Sequence, residues 1–274
     1  MRKETAKKKR LSTLERIKNL CLMDDIFMTK CFEGDLESTE LVLRIVMKRP
    51  DLKVLSVKVQ SAYKNLQGRS LVLDIDATDS KGRRFDIEIQ REDSGASPRR
   101  ARYHVSVMNA NALKAQENFD ALPEAYVILI TEHDVLGGGL PIYHINRHIE
   151  EMQTPFDDGE HIIYVNGEIR DESPLGLLMH DFFCTNPDDM HYAPLRERAR
   201  YFKEDEKGVM MMGSVSEELR EEGREEGREE GREEGRKEIV GRLLKNGKMS
   251  YDEIARLTDL PLDSVIHLAE LNPA

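Results

Sequence analysis

Alternation with a period of two organises the middle of the chain. Leu71, Leu73, Ile75 and Ala77 alternate with Val72, Asp74, Asp76 and Thr78, and Phe85, Ile87 and Ile89 alternate with Arg84, Asp86, Glu88 and Gln90. This predicts two strands, each with one polar face. Between them, Asp79-Ser80-Lys81-Gly82 reads as a type I turn with glycine where a left-handed residue is wanted, so the strands form a hairpin. A loop of Ser80 to Gly82 pairs Asp79 with Arg83 and sets Asp74 opposite Glu88. Upstream, apolar residues at helical spacing predict a helix over 14–30. Ser38 or Thr39 caps a second helix over 40–48, which Pro50 stops. Residues 54–60 alternate as another strand. Pro98 opens a helix running to about Phe119, and 125–131 is a continuous apolar run of the kind buried on both faces of a sheet. Two more strands are predicted at 141–146 and 161–165, then a helical stretch from about 174 to 204.

The hairpin carries the candidate chemistry. Like charges directly opposed on neighbouring strands destabilise the pair, so Asp74 and Glu88 require water or a cation between them. Mg²⁺ favours one or two carboxylates, several waters and substrate phosphate oxygens, a set that these two residues and a nucleic-acid strand provide. The same alternation also fits a solvated sheet face, because Asp76, Asp86 and Arg84 share it.

Asp74 followed by Glu88-Ile89-Gln90 resembles the core of the PD-(D/E)XK nuclease superfamily, and the flanking text narrows the likeness to its recombination-promoting nuclease and transposase branch. The stretches LMDDIFMTKCFEGD (22–35), NLQGRSLVLDIDA (65–77), FDIEIQRED (85–93), RRARYHVS (99–106), LPEAYVILIT (122–131) and GLPIYHINR (139–147) carry it. The resemblance implies an α/β fold, a restriction-endonuclease-like core with a central mixed sheet flanked by helices. It further implies a DNA endonuclease linked to recombination or mobile elements, with Asp74 and Glu88 holding Mg²⁺ or Mn²⁺. Glu40 falls where some members add an acidic residue, although a surface glutamate in a first helical turn fits equally well. Gln90 stands where most of the superfamily has lysine. A neutral amide replaces the positive charge beside water or phosphate, which puts more of the work on the metal. Arg99, Arg100 and Arg102, on the helix after the hairpin, are candidates for phosphate contacts. Because of Gln90, a catalytically weak or inactive module that binds DNA or another partner through the same fold is the alternative.

Charge and composition qualify this picture without deciding it. The 274 residues carry a net charge of −11, which opposes non-specific nucleic-acid binding. Residues 217–238, however, hold eleven Glu against six Lys or Arg, leaving −6 for the rest, and basic clusters stand at Lys7 to Arg10 and at Arg99, Arg100 and Arg102. Cys21, Cys31 and Cys184 lack CxxC spacing, so reduced and mostly buried thiols are expected rather than disulfides or a zinc ribbon. No apolar run approaches the ~20 residues of a membrane span, and a cytoplasmic protein is expected.

Residues 221–236 repeat Glu-Glu-Gly-Arg four times with no apolar seam, which predicts a charged spacer. After it, apolar residues from Ile254 to Leu268 recur at helical spacing around a turn at 259–261, resembling a small helix-turn-helix. The expected organisation is a nuclease-like domain at 12–210, a spacer at 214–238 and a helical tail at 239–274. The tail is too short to bury a stable core alone, so docking or homo-oligomerisation is as natural a role for it as DNA contact. His144 and His148 lack the helix and glutamate of a zinc-protease motif, Gly137 to Gly139 lacks the lysine of a phosphate loop and reads as a turn, and Met210 to Met212, at the domain boundary, reads as packing or linker.

Overall fold

The computed structural model describes residues 14–63, 69–214, 239–244, 249–258 and 261–271. The basic cluster at Lys7 to Arg10, the Glu-Glu-Gly-Arg repeats and part of the 259–261 turn lie outside them. Among the described residues, no helix is long and apolar enough to cross a membrane.

Strands β1 (Val54–Tyr63), β2 (Leu71–Asp79), β3 (Arg84–Gln90), β4 (Ala125–Thr131), β5 (Ile142–Ile145) and β8 (Glu160–Asn166) form one mixed sheet in the order β1-β2-β3-β4-β8-β5, and β6 (His148–Ile149) pairs with β7 (Thr154–Pro155) separately. The first three strands meander antiparallel, β3-β4-β8 run parallel, and β5 closes the edge antiparallel. The hairpin has the expected turn. Asp79 and Arg83 close it through an N–H to O contact of 3.1 Å, and Gly82 takes φ +77°, a left-handed conformation that glycine adopts without strain.

Residues 14–19 form helix α1, and the helices after it cover both faces of the sheet. On one side, α2 (Asp25–Phe32), α3 (Leu36–Val46), α5 (Pro174–Phe183) and α6 (Ala193–Glu204) pack Phe27, Leu43, Phe182 and Phe202 against Ile75, Phe85, Ile87 and Ile128. On the other, α4 (Pro98–Ala110) lays Ala101, Val105 and Met108 on Val127, Leu129 and Tyr164. This is the α/β, restriction-endonuclease-like architecture that the resemblance implied. β3 and β4 are buried on both faces, as expected of parallel strands with helices on either side.

The helical stretch predicted from about 174 to 204 is two helices, α5 and α6, with a break between them, and three other helix boundaries differ from expectation, each because a polar side chain intervenes. The predicted 14–30 helix is two: residues 14–19 are helical, and then the Asp24 carboxylate accepts from Cys21 N–H at 2.7 Å and α2 begins. The buried Lys203 ammonium donates to the carbonyls of Lys18, Leu20 and Thr185, so the end of the first helix is capped from outside. Asp35, not Ser38 or Thr39, caps α3, accepting from Glu37 N–H and Ser38 N–H. α4 ends at Ala110 instead of about Phe119, where Asn111 turns its amide back on Val107 O at 2.8 Å.

Asp35 also pairs with Arg198 at 3.2 Å, so one carboxylate caps α3 and anchors α6. Asp35→Ala is expected to cost about 1–2 kcal/mol, read as a lower urea midpoint at unchanged slope. A midpoint identical to wild type would remove the cap from the account.

The chain divides into two compact units, 1–213 and 214–274. In the second, residues 239–244 are helical and are followed by helices at Tyr251–Thr258 and Leu262–Leu271. Val240, Ile254 and Val265 form its small core. Ser250 and Glu253 make a reciprocal capping box, with Ser250 N–H donating to Glu253 at 2.8 Å and Glu253 N–H to Ser250 at 3.3 Å.

Candidate functional site

The site grows out of a defect in the hairpin. The β2–β3 ladder runs from Thr78↔Arg84 to Ile75↔Ile87. Beyond it, side chains replace the backbone bonds: Asp74 N–H donates to Glu88 Oε1 at 3.0 Å, and Ile89 N–H donates to Asp74 Oδ2 at 3.0 Å. The two strands are thus joined here by the carboxylates themselves. Leu73 packs in the cluster under α4 and Ile75 in the larger core cluster, with Asp74 between them. Gln60, which the β1–β2 register sets across from Asp74, takes φ +50°.

Gln60 reveals a third carboxylate. Its side-chain N–H group reaches Asp25 Oδ1 at 3.2 Å and Asp74 Oδ1 at 3.4 Å. An amide donor therefore sits between two carboxylates, a place that suits a cation. Asp25 opens α2, where the helix N-terminus favours negative charge. It belongs to the quoted 22–35 stretch, and no role for it was read from the sequence.

Glu40 does not join them. Its carboxylate accepts from Val54 N–H at 2.8 Å and pairs with Arg44 at 2.7 Å. Val54 faces Asp79, at the far end of the β1–β2 ladder from Asp74, which leaves Glu40 five residues of extended strand, about 16 Å, away. Its work is to fix the start of β1.

Behind Glu88 the expected solvated face is absent. Asp86 and Glu88 are fully buried, covered by His104 on the core stripe of α4. His104 Nδ1 lies 2.8 Å from Asp86 Oδ2 and 3.6 Å from Glu88 Oε1, and its Nε2 accepts from Arg100 Nε at 3.3 Å. Arg100 also reaches Glu88 Oε2 at 3.4 Å. The other polar residues of this face are paired among themselves, Asp76 with Tyr63 at 2.7 Å and with Arg84 at 3.4 Å. Asp86 Oδ1 alone, among the described buried side-chain oxygens and nitrogens, lacks a hydrogen-bond partner.

Burial and mutual repulsion hold these acids far from their ordinary range. Burial first, then Glu88, pushes Asp74 up to about 7. Burial, then Asp86, pushes Glu88 up to about 8. Asp86 is raised well above the carboxylate range, mainly by burial, and burial also raises Asp25. His104 is lowered by burial and so stays neutral. Near neutrality the cluster retains protons that a bound cation would displace.

A pH dependence follows. A carboxylate with a raised folded-state pKa contributes stability that is complete below its unfolded value, near 4, and is lost as pH rises through the folded value. Without divalent ions, the melting temperature is expected to fall by several degrees between about pH 5.5 and 8.5. Mg²⁺ should flatten the slope. A melting temperature independent of pH in EDTA would refute this account of the cluster.

Gln90 ends β3, its side chain lying against Gly95. It lines a cleft of about 380 Å³ with Asp24, Asp25, Arg91 and Arg100. A larger groove of about 740 Å³ runs alongside, with Arg69, Arg99, Arg100 and Tyr103 on its walls. Of the three arginines singled out in the sequence, Arg100 serves the carboxylates, Arg99 faces the groove, and Arg102 is exposed and lines neither.

Residues 44–167 match the family model of the PD-(D/E)XK nuclease family transposases. These residues are similar to that family. The match spans the hairpin, α4 and the parallel strands, and it connects the chain with nucleases and mobile elements. No curated protein and no solved structure matches the chain.

Proposed function

We propose that the chain hydrolyses phosphodiester bonds in DNA with Mg²⁺ or Mn²⁺ as cofactor, in recombination or the movement of mobile elements. The carrying observation is that Asp74 and Glu88 meet where the β2–β3 ladder opens, with the Gln60 amide reaching both Asp74 and Asp25. Asp74 and Glu88 hold the ion in this reading, and Asp25 completes the set. When bound, the ion neutralises phosphate charge and lowers the pKa of a water. Gln90 orients that water or a phosphate oxygen from the cleft wall. Arg100 bridges the acidic cluster and the groove, while Arg69 and Arg99 supply the positive charge that a phosphate backbone requires.

A second reading, a silent DNA-binding module, draws support from Glu88. Both of its oxygens already have partners, and no lysine stands at position 90. Supercoiled-plasmid nicking in Mg²⁺, Mn²⁺ or EDTA, run beside a DNA-binding assay, separates the two. Cleavage that requires the metal supports the nuclease; binding without cleavage in either metal supports the module.

We further propose that the nuclease domain is independent of the spacer and tail, whose role is self-association or substrate delivery. Truncation after Gly213 is expected to leave melting and metal-dependent nicking unchanged, while sedimentation reports any loss of self-association. A truncated chain that cannot fold would place the tail in the core.

A further inference from the structure

We propose that His180, Asp181 and His191 form a second metal site, selective for a borderline transition-metal ion such as Zn²⁺. His180 and Asp181 lie in the last turn of α5, and His191 lies in the segment leading into α6. Their ligand atoms all fall within 4.8 Å of one another.

The carboxylate is already positioned. Asp181 is fully buried, and the amides of His191 and Tyr192 donate to its Oδ1 and Oδ2, each at 2.8 Å. A carboxylate accepts about four hydrogen bonds, so these two contacts orient it and leave lone pairs for an ion. His180 Nδ1 stands 3.4 Å from Asp181 Oδ1. That is long for a hydrogen bond, but two ligands about 2.0–2.1 Å from a tetrahedral ion are themselves roughly 3.3 Å apart. The pair already has the spacing of one edge of a zinc site. The His180 and His191 rings meet edge to face with centroids 4.7 Å apart, and His191 is exposed, so a shift of its ring brings it to the ion, and water takes the fourth position.

Chemistry sets the selectivity. Two imidazoles and one carboxylate favour Zn²⁺, Ni²⁺, Co²⁺ or Cu²⁺, whereas Mg²⁺ prefers oxygen ligands alone. The site shares no residue with the carboxylate centre. An ion here ties the end of α5 to the start of α6 across the intervening loop, so it stabilises the fold by mass action.

The test uses untagged full-length protein carrying Asp74→Asn and Glu88→Gln, which silences the first centre, with Mg²⁺ in excess. Calorimetry is expected to find one Zn²⁺ per chain, and Zn²⁺ should raise the melting temperature. Added Co²⁺ should develop visible absorption bands. His191→Ala and, separately, His180→Ala should each weaken Zn²⁺ binding at least about tenfold and abolish the Co²⁺ bands. Both imidazoles are partly exposed, and circular dichroism verifies that the variants fold. Absence of Zn²⁺ binding, or binding unchanged in both histidine variants, would overturn the proposal.

Discussion

Asp74→Asn and Glu88→Gln are each expected to lower metal-dependent DNA cleavage by at least about a hundredfold while leaving the melting temperature equal or higher. The two effects share a cause. Asp74 and Glu88 are driven up to about 7 and about 8 by burial and by neighbouring acids, so each destabilises the metal-free fold whenever it ionises. The amide isosteres remove that charge but keep one oxygen for the backbone bonds, Ile89 N–H to position 74 and Asp74 N–H to position 88. What Glu88→Gln loses is the charge in its 3.4 Å contact with Arg100. That contact is long and half exposed on the arginine side, so it is worth less than the relief of a buried charge. Stability rising as activity falls is the signature of a site strained for function. Nicking retained in both variants would end the assignment; activity lost together with several degrees of stability would make the residues structural.

Much of the site was legible because β-structure obeys local rules. The Asp79–Gly82 turn fixes the hairpin register, and the register fixes Asp74 against Glu88, with no tertiary information needed. What stayed hidden depends on what covers each face. The polar row of β3 reads as solvent-facing until α4 is laid on it, and only then do Asp86 and Glu88 become buried acids. One signal was available: His104 interrupts the apolar stripe of Ala101, Val105 and Met108, and a polar residue on a core stripe requires a polar partner opposite. Glu40 and Asp25 show the converse. Helical spacing runs through residues 20–24, and nothing local reveals that Asp24 breaks the helix there and starts α2 with Asp25 beside the sheet. Glu40 has the right chemistry on the wrong end of the ladder, a difference that strand register alone decides.

Gly95→Ala is expected to reduce cleavage about tenfold or more without a comparable loss of stability, and Gln90→Lys to raise it by an order of magnitude or more. Gly95 allows Gln90 its position: a Cβ there would stand 1.9 Å from Gln90 Oε1 and 3.0 Å from its Cδ. No heavy atom tolerates 1.9 Å, so the amide must swing out of the cleft wall in the alanine variant. Because the displaced group is the far end of a flexible side chain, the fold absorbs the change and the site does not. If the loss acts through Gln90, Gly95→Ala should cost nothing further in a Gln90→Ala background, a non-additivity that damage elsewhere would not produce. Lysine at 90 tests the charge directly. An ammonium at position 90, two residues along β3 from Glu88, lowers the pKa values of the carboxylates, so the pH optimum of cleavage should move down as the rate rises. A Gln90→Lys protein with unchanged rate and unchanged pH profile, together with additive losses in the alanine pair, would show that position 90 lies apart from the chemistry and that the carboxylates work without it.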